Sequence, residues 1–215
     1  MPAEVKICGL TRSIDAEFAD AGGASYLGVI FAGGPRERSP TDARAVLSGR
    51  RARKVGVFAA QSATAIAEIA SLVGLDVVQL HGGADATRVA AVRAATGLEV
   101  WAVVRTSTGI LTAEHEHVAE AADALVVDAL VEGQLGGTGV ALPWLELGES
   151  LDAMTSGHRI VLAGGLTADN VAEAIDYVSP MVVDVSSGVE SSPGIKDQNL
   201  VRAFIAAARA SGASE

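Results

Sequence analysis

Short runs of β-branched and other apolar residues recur along the chain, and a longer stretch with helical periodicity follows each of them. The short runs predict buried strands: Val5–Cys8, Tyr26–Phe31, Lys54–Phe58, Val77–His81, Val100–Val104, Ala124–Val127, Arg159–Leu162 and Met181–Val185. The longer stretches predict helices: Arg12–Ala21, Thr41–Ser48, Ser62–Val73, Ala84–Ala95, Thr112–Ala121, Leu142–Met154, Ala168–Tyr177 and Leu200–Ala208.

Eight strand–helix units joined by short connections are typical of an α/β protein with the (β/α)8 or TIM barrel fold. An open, doubly wound sheet is the alternative, but such sheets more usually stop at about five or six strands. The longest interruption of the pattern is the loop Leu130–Ala141. No low-complexity stretch or linker divides the chain, so a single domain is expected over residues 1–215.

Composition and charge narrow the classes of partner. Hydrophobic residues make up 49% of the chain but aromatic residues only 4%, which suits buried parallel strands covered by Ala-rich helices. A formal charge of −10 argues against nucleic acid and anionic membranes as partners. One cysteine excludes an internal disulfide, and no run of apolar residues reaches the length of a membrane span. A cytoplasmic protein with no obligate protein partner is expected.

Two loops near the end of the chain have the composition of a phosphate site. Gly164 and Gly165 follow the seventh predicted strand, and Ser186, Ser187 and Gly188 follow the eighth. Small residues let backbone N–H groups approach an anion, and the loops after strands seven and eight of such barrels frequently hold phosphate. Either loop by itself could be only a turn, but together they predict phosphate binding.

Ionisable side chains lie at the ends of the other predicted strands, where such barrels carry their chemistry. They are Cys8, Arg36, His81, Arg105, Asp128 and Asp184. Each has a structural alternative: a lone cysteine is usually a small buried hydrophobe, and an aspartate can accept backbone hydrogen bonds in a turn. No spacing of His, Cys or carboxylate residues is typical of a metal site.

The motifs together resemble the phosphoribosylanthranilate isomerase family over essentially the whole chain. The motifs are KICGLT at 6–11, QLHG at 79–82, GGTG at 136–139, LAGGL at 162–166 and VDVSSGVESSPGIKD at 183–197. The resemblance implies the third step of tryptophan biosynthesis, an Amadori rearrangement of a phosphorylated, carboxylated small molecule, without metal or cofactor. It also implies that Cys8 is the general base and Asp128 the general acid.

The resemblance gives the remaining site residues roles in substrate binding. Arg36 would bind the anthranilate carboxylate, and His81 and Asp184 would orient the substrate. Gly164, Gly165, Ser186, Ser187 and Gly188 would hold the phosphate. Physical chemistry adds two expectations: Asp128 needs a raised pKa to hold its proton at neutral pH, and Cys8 needs a lowered pKa to act as a thiolate.

Two other functions remain open from the sequence. The first is the related aminoaldose isomerase of histidine biosynthesis, whose first strand ends in an Asp base where this chain has Cys8. The second is a catalytically silent barrel that binds phosphorylated ligands, in which Cys8 would be an inert core thiol.

Overall fold

A computed structural model describes residues 2–129, 143–154 and 157–211, and it has eight parallel strands closed into one barrel. The strands are β1 (Glu4–Ile7), β2 (Tyr26–Ile30), β3 (Arg53–Phe58), β4 (Val77–Leu80), β5 (Glu99–Thr106), β6 (Ala124–Ala129), β7 (Ile160–Leu162) and β8 (Val182–Val185). The helices are α1 (Ser13–Gly22), α2 (Pro40–Leu47), α3 (Ala63–Val73), α4 (Ala86–Thr96), α5 (Ala113–Ala121), α6 (Trp144–Asp152), α7 (Val171–Val178) and α8 (Gln198–Ala210). The predicted (β/α)8 barrel is confirmed.

Capping residues explain where several helices begin and end. The side chains of Ser62 and Asp85 accept hydrogen bonds from backbone N–H groups in the first turns of α3 and α4, which would otherwise lack partners. Gly74 and Gly97 end the same helices in the left-handed conformation that glycine adopts without steric cost. These local signals keep the connections short, so each helix packs back against the strands.

Two hydrophobic clusters build the core. The larger one joins the outward faces of the strands to the helices and includes Leu27, Leu80, Leu125, Val171 and Phe204. The smaller one contains residues of the strands and strand ends, alternating along each strand, and therefore fills the barrel interior. Its buried members are Tyr26, Val55, Val77, Trp101, Ala124, Val126, Val161, Ala163 and Val182.

An ion-pair network closes the barrel end at which the strands begin. Glu99 accepts hydrogen bonds from Arg53 at 2.6 Å, Arg159 at 2.8 Å and the indole of Trp101 at 2.7 Å. Burial alone would raise the pKa of Glu99, but these donors outweigh it and hold the pKa below its ordinary value of 4.5. The network is distant in the fold from the strand ends that carry the candidate chemistry, so its role is stability.

The segment after β8 is more ordered than the sequence predicts. A 3-10 turn (Ser187–Val189) leads into a small antiparallel pair, β9 (Glu190–Ser192) and β10 (Ile195–Lys196), and α8 then begins at Gln198 instead of Leu200. Pro193 and Gly194 form the reversal between the two strands, and Asp197 caps the helix. We call residues 190–196 the β9–β10 hairpin.

Some predicted features lie outside the described residues: the loop Leu130–Ala141, its GGTG motif at 136–139 and the predicted start of the sixth helix at Leu142. Among the residues described, none of the helices has the length and apolar character needed to cross a membrane.

Candidate active site

The period of two along each strand brings the predicted site residues to one cavity. Cys8 follows β1 on the same face as Lys6, and Asp184 of β8 pairs in register with Lys6. The cavity has a volume of about 460 Å³ and lies at the carboxyl ends of the strands. All ten residues predicted for the site line it: Cys8, Arg36, His81, Asp128, Gly164, Gly165, Asp184, Ser186, Ser187 and Gly188.

A buried ion pair lies beside the Cys8 thiol. The ammonium of Lys6, fully excluded from solvent, contacts Asp184 Oδ2 at 2.6 Å, and the Asp184 side chain is only 7% exposed. A Cβ on Gly28 would lie 2.8 Å from Cys8 Sγ and 3.2 Å from Lys6 Cε, so the thiol and the lysine stem share the space that this glycine leaves. Asp184 Oδ1 has no hydrogen-bond partner in the described parts of the chain.

The expectation of a lowered pKa for Cys8 is wrong. Burial raises the pKa of the thiol above its ordinary value of 9.0, and the nearby Asp184 charge acts in the same direction. Lys6 and Lys196 lower the pKa but do not compensate for burial. The sequence does not show the depth at which the fold places the thiol. The thiol is therefore protonated at neutral pH.

Asp128 is the penultimate residue of β6, and its pKa is raised as the sequence analysis expects. Burial is the main cause, the neighbouring Asp184 charge adds to it, and His81 and Arg105 oppose it. Asp128 Oδ1 accepts a hydrogen bond from the backbone N–H of Ala129 at 2.9 Å. Its other oxygen lies 3.9 Å from Arg105 Nη2, and the same Nη2 lies 2.7 Å from His81 Nε2. The carboxyl group is held in one orientation toward the cavity.

Arg36 reaches the cavity from the loop after β2. Its Nε and Nη2 donate to both oxygens of Glu190, at 2.9 Å and 2.7 Å for the shorter contacts. Lys196 Nζ donates to the same carboxylate at 2.8 Å and to the Ser186 carbonyl at 3.0 Å. Gly9 has φ +69°, and a Cβ there would lie 2.7 Å from Arg36 Cδ, so glycine is needed for both conformation and space.

The two loops predicted for phosphate lie against each other. A Cβ on Gly188 would lie 2.0 Å from the carbonyl oxygen of Leu166, so the loop after β8 packs directly on the loop after β7. Gly164 has φ +89°, and a Cβ there would lie 2.9 Å from Asp128 Oδ1. Ser186 Oγ is buried and has no hydrogen-bond partner among the described residues. The glycines therefore bring both loops and the Asp128 carboxyl to one wall of the cavity.

Four further polar residues at or beside the cavity were missed by the sequence analysis: Lys6, Gln79, Glu190 and Lys196. A signal existed for two of them, because Lys6 and Gln79 lie two positions before Cys8 and His81 inside buried strands and must share their inward faces. Glu190 and Lys196 gave no signal, since their pairing depends on the β9–β10 hairpin. In the ranges that the structure covers, His, Cys, Asp and Glu form no group of three that could hold a metal ion.

Comparison with known proteins agrees with this geometry. The family model for N-(5'-phosphoribosyl)anthranilate (PRA) isomerase matches residues 5–207. An N-(5'-phosphoribosyl)anthranilate isomerase from Rhodospirillum centenum is 38% identical over 98% of this chain and 100% of its own. The crystal structure of phosphoribosyl anthranilate isomerase from Thermotoga maritima superposes with a TM-score of 0.83 at 32% identity, covering 97% of this chain and 99% of that one.

A further solved structure contains a ligand. It is a phosphoribosyl anthranilate isomerase in complex with reduced 1-(o-carboxyphenylamino)-1-deoxyribulose 5-phosphate, with a TM-score of 0.79 at 32% identity, covering 97% of this chain and 99% of that one. The motifs, the closed barrel and the full-length matches agree, and the chain belongs to the N-(5'-phosphoribosyl)anthranilate isomerase family, whose members are isomerases of tryptophan biosynthesis.

Proposed function

We propose that this protein converts N-(5'-phosphoribosyl)anthranilate into 1-(2-carboxyphenylamino)-1-deoxyribulose 5-phosphate by general acid/base catalysis, the third step of tryptophan biosynthesis from chorismate. The observation that carries the proposal is that Cys8 and Asp128 line the same cavity, with the pKa of Asp128 raised. The cavity also contains an arginine suited to a carboxylate and two Gly/Ser loops suited to a phosphate.

Asp128 acts first, as the general acid. Its proton passes to the furanose ring oxygen, the bond from C1' to that oxygen breaks, and the nitrogen lone pair forms the C1'=N iminium. A carboxyl group can supply this proton near neutral pH only if its pKa is raised, and the burial of Asp128 provides that. The Ala129 N–H fixes Oδ1 and leaves Oδ2 to face the reacting atoms.

Cys8 acts second, as the general base. The thiol first loses its proton to solvent, and the positive charges of the iminium and of Lys6 favour the thiolate against the burial that raises its pKa. The thiolate removes the C2' proton, and the electrons of that bond form the C1'=C2' enolamine and neutralise the nitrogen. Tautomerisation of the enolamine gives the ketose: a proton returns to C1', and the C2' hydroxyl loses its proton as it becomes the carbonyl.

The remaining predicted residues bind and orient the substrate. The Arg36 guanidinium binds the anthranilate carboxylate, because its planar fork matches the two oxygens. Asp184 and His81 contact the ribose portion. Asp184 does so through Oδ1, because its Oδ2 is held by Lys6. Gly164, Gly165, Ser186, Ser187 and Gly188 hold the phosphate mainly through backbone N–H groups.

The decisive experiment follows the loss of phosphoribosylanthranilate fluorescence on addition of the protein. Cys8→Ala and Asp128→Asn should each lower kcat by about 10²–10⁴-fold, the usual contribution of a positioned acid or base. Asp123→Asn is the matched control, because Asp123 lies just before the other end of β6, where it pairs with Arg93. Binding of the substrate without turnover by the unaltered protein would refute the proposal and favour a silent phosphosugar-binding barrel.

A further inference from the structure

Three charged side chains that are largely excluded from solvent are linked in a row beside Cys8: Arg36, Glu190 and Lys196. The side chains are 16%, 4% and 1% exposed in that order. Glu190 lies in the middle, with the Arg36 guanidinium on one side and the Lys196 ammonium on the other. Of these three residues only Arg36 lines the cavity.

The net charge of Arg36, Glu190 and Lys196 shows why Lys196 matters for the carboxylate site that we propose at Arg36. An arginine already paired with a carboxylate has no net charge to offer a second carboxylate, because the Arg36–Glu190 pair sums to zero. Lys196 restores a net charge of +1 to the group. Burial lowers the pKa of Lys196, but Glu190 opposes that change, and two acceptors hold the ammonium.

The contact between Arg36 and Glu190 also orients the guanidinium. Nε and Nη2 face Glu190, and Nη1 has no acceptor within the described residues. A guanidinium held along one edge keeps its remaining N–H groups in a fixed direction, which reduces the conformational entropy lost when a ligand binds.

Contacts with the loop after β1 and with α1 hold the β9–β10 hairpin in place. Thr11 Oγ1 donates to the Gly194 carbonyl, and the buried carboxylate of Asp15 accepts from the Lys196 N–H at 3.2 Å. Arg12 binds Asp15 through two nitrogens, at 2.8 and 2.6 Å. The β9–β10 hairpin is therefore attached to the loop that follows Cys8 and to the first turn of α1.

We propose that Glu190 and Lys196 are positioning residues for carboxylate recognition. Glu190 orients Arg36, and Lys196 neutralises Glu190 so that the group of three charges retains one positive charge for the ligand. This inference rests on the proposed function, which assigns the substrate carboxylate to Arg36.

Two stable ligands separate carboxylate recognition from the rest of binding. The first is reduced 1-(o-carboxyphenylamino)-1-deoxyribulose 5-phosphate, and the second is the same molecule without the carboxylate. Calorimetry gives Kd for each. We define the ratio as Kd of the ligand without the carboxylate divided by Kd of the ligand with it, and this ratio measures carboxylate recognition alone. Effects that a variant transmits through the Ser186 carbonyl to the phosphate loop cancel in this ratio.

Lys196→Gln keeps a hydrogen-bond donor and removes the charge, so it should reduce the ratio about tenfold, as expected for one charge lost in a partly buried site. Lys196→Arg retains the charge and should stay within about threefold of the unaltered protein. The double variant E190Q/K196Q regains a net charge of +1 but loses the ionic contact that orients Arg36, so its ratio should exceed that of Lys196→Gln without reaching that of the unaltered protein. A purely structural role predicts that the double variant is no better than the single one.

Two results would overturn the inference: an unchanged ratio in Lys196→Gln, or a double variant as poor as Lys196→Gln. Should Lys196→Gln not fold, Lys196→Met makes the same charge change with a side chain of similar length. Arg36→Lys separates this inference from the proposed function. If Arg36→Lys leaves the ratio unchanged, the carboxylate is bound elsewhere; if only the Arg36 variant changes it, Glu190 and Lys196 are not involved.

Discussion

Replacement of Lys6 by methionine tests the buried ion pair beneath the active site. Lys6 is fully buried, and its ammonium lies 2.6 Å from Asp184 Oδ2. Burial would lower the pKa of Lys6, but its neighbours, chiefly the Asp184 carboxylate, outweigh burial and raise the pKa. Methionine has a similar length and fills the same space, so Lys6→Met removes the charge without opening a large cavity.

The expected loss of stability comes from the partner that is left behind. Without Lys6, the carboxylate of Asp184 stays buried with no cation in contact, and breaking a buried pair in this way costs about 3–5 kcal/mol. For a chain of this size, 1 kcal/mol shifts Tm by about 2–4 °C, so Tm should fall by about 6–20 °C.

Urea and thermal unfolding measure the effect. Lys54→Met is the matched control, because Lys54 is partly exposed and has no ion pair within the described residues; it should change the unfolding free energy by no more than about 0.5 kcal/mol. The double variant K6M/D184N removes both charges and should be more stable than Lys6→Met alone. An unfolding free energy of Lys6→Met within about 1 kcal/mol of the unaltered protein would refute the reasoning, as would a double variant less stable than the single one.

Three further predictions concern other parts of the molecule. Because burial raises the pKa of Cys8, its alkylation by iodoacetamide should be slow at pH 7 and rise about tenfold per pH unit to above pH 9; a rate already maximal at pH 7 would contradict this. Ser187→Ala should cost about 0.5–1.5 kcal/mol in substrate binding, whereas Gly188→Val should abolish inhibition by inorganic phosphate, since even a Cβ there lies 2.0 Å from Leu166 O. If a folded Gly188→Val variant is inhibited by phosphate like the unaltered protein, the phosphate is bound elsewhere. Glu99→Gln should lower the unfolding free energy by about 1–3 kcal/mol at pH 7. The folded pKa of Glu99 lies below 4.5, so the difference between Glu99→Gln and the unaltered protein is fully present above pH 4.5. This difference should disappear as the pH falls through the folded pKa.

The sequence by itself determined the fold and most of the polar side chains that line the cavity. Eight apolar runs alternate with helical periodicity, and buried parallel strands of this kind are stabilised by burial on both faces, which the local pattern encodes. Because strands of such a barrel present their carboxyl ends to one rim, strand-end residues such as Cys8, Asp128 and Asp184 were predicted together, and they line one cavity.

Only the tertiary structure decided how charge is distributed around those residues. The sequence predicts the wrong direction for the pKa shift of Cys8. The direction depends on whether burial of the thiol outweighs the charge of Lys6, and only the closed barrel determines that. The contact of Arg36 with Glu190 joins residues 154 positions apart, and no local pattern specifies such a contact. Spacing along the chain determines which side chains share a face, but burial and distance determine which of them carry charge, and both arise only when the barrel closes.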